Sequence, residues 1–488
     1  MKAGRAPGSD DPPADLPTPS EPPPLDAVSF SSEEGTGIQS LLESVMGRPG
    51  GASRKISRAA VTVALFASLC TLGSTLKEVL VADWFGRGDA IEAFLIAFLL
   101  PFLVVRVVAG AFDSALVPTL IHLNETEGRG AARRLFSSVM TVAVILFLVV
   151  SVLLVLLAPY YMPLLGSGFD LAKLRLTTQL LYILLVYLIV GGVVTIWSAV
   201  LNALEQFALP AFTPLLTPVT IIVFVVAAGE TWGIQALVLG TVTGTLLEAV
   251  LLGRALKAQG LPLKPKWHGM DIHVRHVAGQ YGAMVAAMLL LNGTLLVDRS
   301  MAAMLEGGSV AALNYGNKAV GAILGITAMG LYAAVLPYFS QMVASKDWKG
   351  CRQALKTSSR LALFATLPVT AAVVLFSHPI IKILFERGAF TPADTDVVSG
   401  VQALYALQIP FFVLAVPFSR ALSSLGGNSR IMFAAAGALG LDIVLNLLFM
   451  KYFGVLGIAL STSVVHLLLC VFLAVSTIRL LERVRIEK

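Results

Sequence analysis

Charged side chains inside long apolar stretches are the residues of this sequence whose types and spacing could do chemistry. A cation stands directly beside an acid in Lys77–Glu78 and in Asp298–Arg299. A charge at the centre of a bilayer costs about 2.5–3.5 kcal/mol, so such residues commonly face a cavity. The other polar residues in apolar surroundings are Glu92, Arg106, Asp113, Lys318, Arg420, Asp442 and His466. These side chains are the candidates for binding a charged ligand within a membrane.

The composition places these charges in a membrane protein. Hydrophobic residues make up 57% of the 488 residues, charged residues only 13%, and the mean hydropathy is +0.83. Soluble domains carry about 25% charged residues. Apolar runs of about 20 residues, which suffice to cross a bilayer, recur along the chain. Because a helix satisfies its own backbone hydrogen bonds in lipid, we predict an all-α integral membrane protein.

The apolar runs predict twelve transmembrane helices, and the basic residues between them predict their direction. We place the helices at 59–82, 90–120, 135–159, 175–201, 209–228, 232–253, 276–303, 309–340, 358–384, 398–423, 430–450 and 455–479. Lys and Arg are concentrated in every second connection and at both chain ends. The positive-inside rule assigns those segments to the cytoplasm. We therefore expect both termini to be cytoplasmic.

The two halves of the chain resemble each other at an offset of about 220 residues. The segment FGRGDAIEAF (85–94) matches LEGGSVAALN (305–314), and WGIQALVLG (232–240) matches FGVLGIALS (453–461). Six helices per half give both halves the same orientation, related by an axis along the membrane normal. The resulting fold class is two parallel six-helix lobes around a central axis, an arrangement typical of an alternating-access transporter.

The domain boundaries follow from this repeat and from the Pro-rich start of the chain. The sequence DDPPADLPTPSEPPP near the start is typical of a disordered tail. The predicted segments are a cytoplasmic tail at 1–55, an N-lobe at 56–256, a cytoplasmic linker at 257–275, a C-lobe at 276–480 and a second tail at 481–488. Prolines within the predicted helices, such as Pro101 and Pro410, are candidate hinges or plain membrane-helix prolines.

The intramembrane charges predict one shared cavity between the lobes, because they concentrate in the first two helices of each half. Its cations would attract an anion such as a phosphate or pyrophosphate; they are Lys77, Arg106, Arg299 and Lys318. Its acids would orient those cations or carry a coupling ion; they are Glu78, Glu92 and Asp298. The alternative is that the charges only lock helices together. The GxxxG pairs Gly240–Gly244 and Gly321–Gly325 are candidates for close helix packing.

Six segments of the chain carry a resemblance to a known family. They are FGRGDAIEAFLIAFLLP (85–101), AGAFDSALVP (109–118), LNALEQFALPAFTP (201–214), VDRSMAAMLEGGSVAALNYGNKA (297–319), LYAAVLPYFSQ (331–341) and LFERGAFTPADT (384–395). In their order and spacing they resemble the MurJ/MviN lipid II flippases of the multidrug/oligosaccharidyl-lipid/polysaccharide exporter superfamily. The resemblance covers roughly residues 59 to 480 and implies that the two six-helix lobes form a V-shaped transporter.

This resemblance implies alternating-access transport of a polyprenyl-pyrophosphate-linked saccharide across the bacterial cytoplasmic membrane, without covalent chemistry. The saccharide lipid would be lipid II, the peptidoglycan precursor, held at its pyrophosphate by the cationic cavity. The chain departs from the family pattern at four positions. Lys77 and Lys318 stand where arginines are expected, and Thr71 and Val105 occupy two further arginine positions. Lysine keeps the charge but loses the planar fork that binds phosphate.

Three other functions stay open on the sequence. One is a flippase for another lipid-linked exopolysaccharide unit. The second is a drug antiporter of the related MATE type, with Glu78 as its membrane acid, and the third is a scaffold without transport. We expect no enzyme activity, resident cofactor, metal site or nucleic-acid partner. Coupling to Na⁺, H⁺ or the membrane potential is expected. Membrane lipids and cell-envelope synthesis proteins are the expected partners.

Overall fold

Long apolar segments form long α-helices in the computed structural model, which describes residues 51–486. Side chains are described from Thr62 onward, except at 113, 326, 328–338 and 484–486. Most of the predicted N-terminal tail and the last two residues of the predicted C-terminal tail lie outside the described residues. The first helix begins at Gly51, before the predicted start of the N-lobe. Residues from Arg58 onward form one compact unit.

The described backbone from residue 51 to 486 is helical almost throughout. Its α-helices are α1 (Gly51–Phe85), α2 (Asp89–Val104), α3 (Gly110–Thr126), α4 (Arg129–Leu165), α5 (Leu171–Ala203), α6 (Ala208–Phe212), α7 (Leu216–Trp232), α8 (Ile234–Ala258), α9 (Ile272–Ala302), α10 (Ser309–Ala344), α11 (Trp348–Leu375), α12 (Ser377–Phe385), α13 (Pro392–Ala406), α14 (Gln408–Ser424), α15 (Asn428–Phe453) and α16 (Val455–Ile486). A π-helical turn, Val105–Ala109, joins α2 to α3, and a 3₁₀ turn, Thr213–Leu215, precedes α7.

The membrane-spanning character predicted from the sequence is confirmed. Within the described residues, 11 helical segments are long and apolar enough to cross a membrane. They match eleven of the predicted helices, and α10 occupies the place of the remaining one. The chain is therefore a multi-pass, all-α membrane protein.

Four predicted helices are each interrupted, and a proline accompanies three of the interruptions. In the predicted helix 209–228, the 3₁₀ turn Thr213–Leu215 contains Pro214. Pro101 lacks an N–H donor, and the π-helical turn Val105–Ala109 begins one turn later. The break between α13 and α14 lies at Leu407, just before Pro410. A proline removes one backbone hydrogen bond and crowds the preceding turn, so the helix bends or changes pitch there. The fourth interrupted helix, 358–384, is divided at Phe376 into α11 and α12.

The two halves repeat one another in their packing as well as in their sequence. In the first half α7 packs against α8, α5 against α8, and α4 against α5. In the second half the corresponding contacts join α15 to α16, α14 to α16, and α11 to α14. Equivalent helices thus have equivalent neighbours, as an internal duplication requires.

Helix α9 departs from this symmetry because it packs against both halves. Near its start, the Tyr281 hydroxyl donates to the Val108 carbonyl oxygen at 3.2 Å, and the Tyr281 and Phe112 rings lie 4.3 Å apart. Near its end, Asp298 accepts a hydrogen bond from Asn446 of α15 at 2.8 Å. The helix therefore crosses from the first half to the second.

Two glycines of α8 allow its backbone to approach α7 closely. A Cβ atom added at Gly240 would lie 2.7 Å from the Ile221 Cα, and one added at Gly244 would lie 2.5 Å from the Thr217 Cα. Among the described residues, nothing lies within 4 Å of the corresponding position at Gly321 or Gly325. In the part of the chain that the structure describes, Gly240–Gly244 therefore marks a tight helix contact and Gly321–Gly325 does not.

Replacing Gly244 with Ala should therefore lower the stability of the fold by about 1–3 kcal/mol, the usual cost of overpacking. The matched control is Gly325→Ala, where the added methyl group meets open space and alanine has the better helix propensity. The midpoint of thermal unfolding in detergent should fall for Gly244→Ala and hold or rise for Gly325→Ala. Equal midpoints for the two variants would show that the α7–α8 contact tolerates a side chain.

Candidate functional site

A cavity of about 750 Å³ lies between the two halves of the protein. Its wall is built by α1 and α7 from the first half and by α9, α10, α13, α14 and α16 from the second. The polar side chains concentrate where α1, α9 and α10 meet; they include Lys77, Asp298, Arg299, Asn314, Asn317 and Lys318. The cavity thus combines polar groups from both halves.

The carboxylate of Glu78 connects the two halves at this cavity. Glu78 is 5% exposed, and its Oε1 lies 2.6 Å from the Lys77 Nζ and 2.5 Å from the Lys318 Nζ. The amide of Asn314 donates to the other carboxylate oxygen at 3.4 Å. Asn314 and Lys318 are four residues apart on α10, a spacing that places side chains on the same helix face. One acid of α1 therefore holds two groups of α10.

Arg299 adds a third cation to this cluster. Its guanidinium donates to the Asn314 side-chain oxygen at 3.4 Å, so Asn314 joins Arg299 to Glu78. Glu78 is shared between two lysines, and Arg299 is held by a neutral amide. The cluster therefore has more positive than negative charge, a condition that favours binding of an anion.

Asp298 faces away from the Glu78 cluster toward α15 and α16. Its carboxylate accepts from the Asn446 amide at 2.8 Å and from the Thr462 hydroxyl at 3.4 Å, and Asp442 lies against it. Asp442 and Asn446 are 1% and 0% exposed. One oxygen of each, Oδ2 of Asp442 and Oδ1 of Asn446, has no hydrogen-bond partner among the described residues. Two buried acids thus meet beside oxygen atoms that remain available to a ligand.

The sequence does not predict that Asp442 or Asn446 lies beside Asp298. Asp442 is one of several charges in apolar stretches, and 148 residues separate Asn446 from Asp298. The available signal was the spacing of Asp442 and Asn446, which lie four residues apart and so share one face of α15.

The halves also contact each other at one end of the bundle, through residues 83–92, 303–311 and 386–395; we name this region the closed end. The Ala389 amide donates to the Asp83 carbonyl oxygen at 2.7 Å, and Arg87 pairs with Asp394 at 3.2 Å. Gly86 has a φ of +53°, and a Cβ atom there would lie 2.3 Å from the Ala389 carbonyl oxygen. The backbones of the two halves are therefore in direct contact at this point.

Glu92 lies at the closed end and not among the residues that line the cavity. It is 1% exposed. Its Oε1 accepts from the backbone amides of Val310 at 2.7 Å and Ala311 at 3.3 Å, in the first turn of α10. Its Oε2 pairs with Lys173 at 2.6 Å. The carboxylate therefore satisfies amides that the start of a helix otherwise leaves without acceptors.

Arg106 lies in the π-helical turn, is exposed, and is also absent from the cavity lining. Its guanidinium stands over the Phe102 ring, 5.6 Å from the ring centroid. Of the seven predicted site residues, the structure gathers Lys77, Glu78, Asp298, Arg299 and Lys318 around the cavity. It places Glu92 at the closed end and Arg106 elsewhere on the first half.

Comparison with known proteins identifies the family. The family model described as "Lipid II flippase MurJ" matches residues 81–485. A protein of Synechocystis sp. named "Probable lipid II flippase MurJ" is 28% identical over 441 residues, which cover 86% of this chain and 81% of that protein.

Two solved structures share the fold. One is a lipid II flippase MurJ in an inward closed conformation, with a TM-score of 0.75 and 24% identity over 85% of this chain and 87% of that one. The other is an inward-facing MATE family multidrug transporter, with a TM-score of 0.70 and 13% identity over 87% of this chain and 99% of that one. The resemblance predicted from the sequence is confirmed, and the chain belongs to the lipid II flippase MurJ family.

Proposed function

We propose that this chain moves lipid II across the cytoplasmic membrane by alternating access. The observation that carries the proposal is the excess of positive charge at the cavity, where Lys77 and Lys318 contact the carboxylate of Glu78 and Arg299 is joined to it through Asn314. A pyrophosphate group is the part of lipid II that such a cluster would hold. Amides at the same wall, such as Asn314 and Asn317, would hydrogen-bond its sugar and peptide groups.

Binding of the pyrophosphate would change the contact between the halves. Both lysines are held by Glu78, so an arriving anion competes with that carboxylate for the same ammonium groups. When the anion takes Lys318, the bond that ties α1 to α10 weakens. Substrate binding would thereby favour a rearrangement of the halves, which is the differential interaction that a conformational change requires.

The orientation in this proposal follows the positive-inside rule. The closed end joins connections that are poor in Lys and Arg, so it would face outward. The cavity would then receive its substrate from the cytoplasmic side, and opening of the closed end would release it outward. Both termini would lie in the cytoplasm.

The charge of the cavity also distinguishes between the alternative functions. A cationic drug, the usual cargo of a multidrug antiporter, would be repelled by three cations. A different lipid-linked saccharide has the same pyrophosphate and would satisfy the same cluster, so family membership decides in favour of lipid II. We propose a transporter without bond chemistry, because the polar groups of the cavity are suited to holding an anion and to linking two moving halves.

We further propose that Asp298 and Asp442 bind the ion that drives transport. Neighbouring buried carboxylates need a positive charge between them. Asp298, Asp442, Asn446 and Thr462 offer oxygen atoms, the ligands that hard cations prefer. Na⁺ or a proton fits this set, and the unpartnered oxygens of Asp442 and Asn446 support the assignment.

Growth of a bacterium depleted of its own lipid II flippase tests the main proposal. The chain should restore growth, and Lys318→Ala should abolish the rescue at an unchanged protein level, because the variant loses a pyrophosphate contact. Lys451→Ala is the matched control, since this lysine is exposed at the end of α15 and absent from the cavity. Rescue by Lys318→Ala equal to that of the unchanged chain would contradict the proposed cavity role.

Thermal unfolding in NaCl and in choline chloride, each at two pH values, tests the ion site. Na⁺ or a proton should raise the unfolding midpoint, because the ion binds only the folded protein. Asp442→Asn should lose this dependence, whereas Glu230→Gln, a change at an exposed acid of α7, should retain it. An unchanged response in Asp442→Asn would exclude the site.

A further inference from the structure

We propose that Lys173 is a positioning residue that lets the closed end open and close without leaving a buried charge unpaired. The proposal rests on the transport function above, because only a protein that alternates between conformations needs such a device. Its evidence is the unequal use of the two oxygens of Glu92.

Lys173 lies at the start of α5 and is fixed on several sides. Its Nζ pairs with Glu92 Oε2 at 2.6 Å and with Asp89 Oδ1 at 2.7 Å, and it stands 4.0 Å from the centroid of the Phe169 ring. Its backbone amide donates to the Asp170 carboxylate, which caps α5, at 2.8 Å. The residue is 8% exposed. All of these partners belong to the first half.

Glu92 divides its carboxylate between the two halves. Oε2 pairs with Lys173 of its own half, whereas Oε1 accepts from the Val310 and Ala311 amides of the other half. If the halves separate, the second set of bonds is lost and the first is kept. At Glu92, opening therefore breaks two hydrogen bonds but no ion pair.

This arrangement determines how costly opening is. An ion removed from water is strongly destabilised unless it is paired, so removing one partner of a buried ion pair destabilises the conformation that keeps the other partner buried. With Lys173 present, Glu92 is compensated before and after separation. Without it, Glu92 in the closed end has only backbone dipoles, and an open conformation in which water reaches the carboxylate becomes preferable.

Lys173→Met should therefore shift the protein toward conformations in which the closed end is open. Adding Glu92→Gln to Lys173→Met should restore the closed conformation, because the amide oxygen still accepts from α10 and no charge remains unpaired. A role of Lys173 in packing alone would not be rescued by a change at Glu92. Asp89→Asn is the control, since the Asp89 side chain is 76% exposed and exposed pairs contribute little.

Distances between two spin labels across the closed end measure this equilibrium without any substrate. Leu171 in the first half and Ile383 in the second are 74% and 73% exposed, and each can be replaced by a labelled cysteine. The native Cys70, Cys351 and Cys470 are changed to Ala, and the protein is placed in lipid nanodiscs.

We expect a short distance in the parent protein and in Asp89→Asn. Lys173→Met should raise the ratio of long to short distances at least about tenfold, and Glu92→Gln/Lys173→Met should reverse most of that rise. If Lys173→Met does not fold, Lys173→Gln, which keeps a donor without the charge, should give a smaller shift in the same direction. An unchanged distance in the folded lysine variants, or a double variant as open as Lys173→Met, would overturn the proposal. These distances do not depend on which lipid is carried, so they are independent of the growth assay.

Discussion

The buried carboxylate of Glu78 is the constraint on which the rest of the site depends. An acid this deep in a membrane protein must be paired, and it is paired with Lys77 of its own helix and Lys318 of the other half. The same bonds that satisfy the acid also fix both ammonium groups at the wall of the cavity. The same residues thus form the anion-binding surface and a contact between the halves, so a change in one changes the other.

Helix α10 receives two contacts that the first half makes through buried acids. Glu92 binds the first turn of α10 and Glu78 binds Asn314 and Lys318, one to two turns further along. At 1.5 Å per residue, Val310 and Lys318 are about 12 Å apart along the helix. Each acid also has a lysine in its own half, Lys173 for Glu92 and Lys77 for Glu78. When the contacts with α10 are broken, each acid therefore keeps an ion pair with a lysine of its own half.

The sequence predicts the membrane helices and part of the site because both depend on local patterns. The lengths of the apolar stretches predict the helices. Charged residues within those stretches are the site candidates, and they include Lys77, Glu78, Asp298, Arg299 and Lys318. It does not predict the partners of those residues, because Glu78 and Lys318 are far apart in the chain and meet only in the folded protein. The sequence predicts Glu92 to be a cavity acid for the same reason. Its actual partners, the amides at the start of α10, meet it only in the folded protein. The pairing of Asp298 with Asp442 depends on how α9 crosses between the halves, which no local pattern records.

The affinity of the purified protein for lipid II, measured by titration in detergent, tests most directly whether Glu78 and a pyrophosphate compete for the same lysines. If Glu78 and the pyrophosphate compete, substitutions at the two partners of one ion pair change the affinity for lipid II in opposite directions. Lys318→Gln should weaken binding about tenfold, or about 1.4 kcal/mol, because a ligand cation is lost. Glu78→Gln should tighten binding, because the competing carboxylate is removed while the lysines remain. Equal weakening by both substitutions would contradict the account, since it would mean that Glu78 assists the binding of lipid II and does not oppose it.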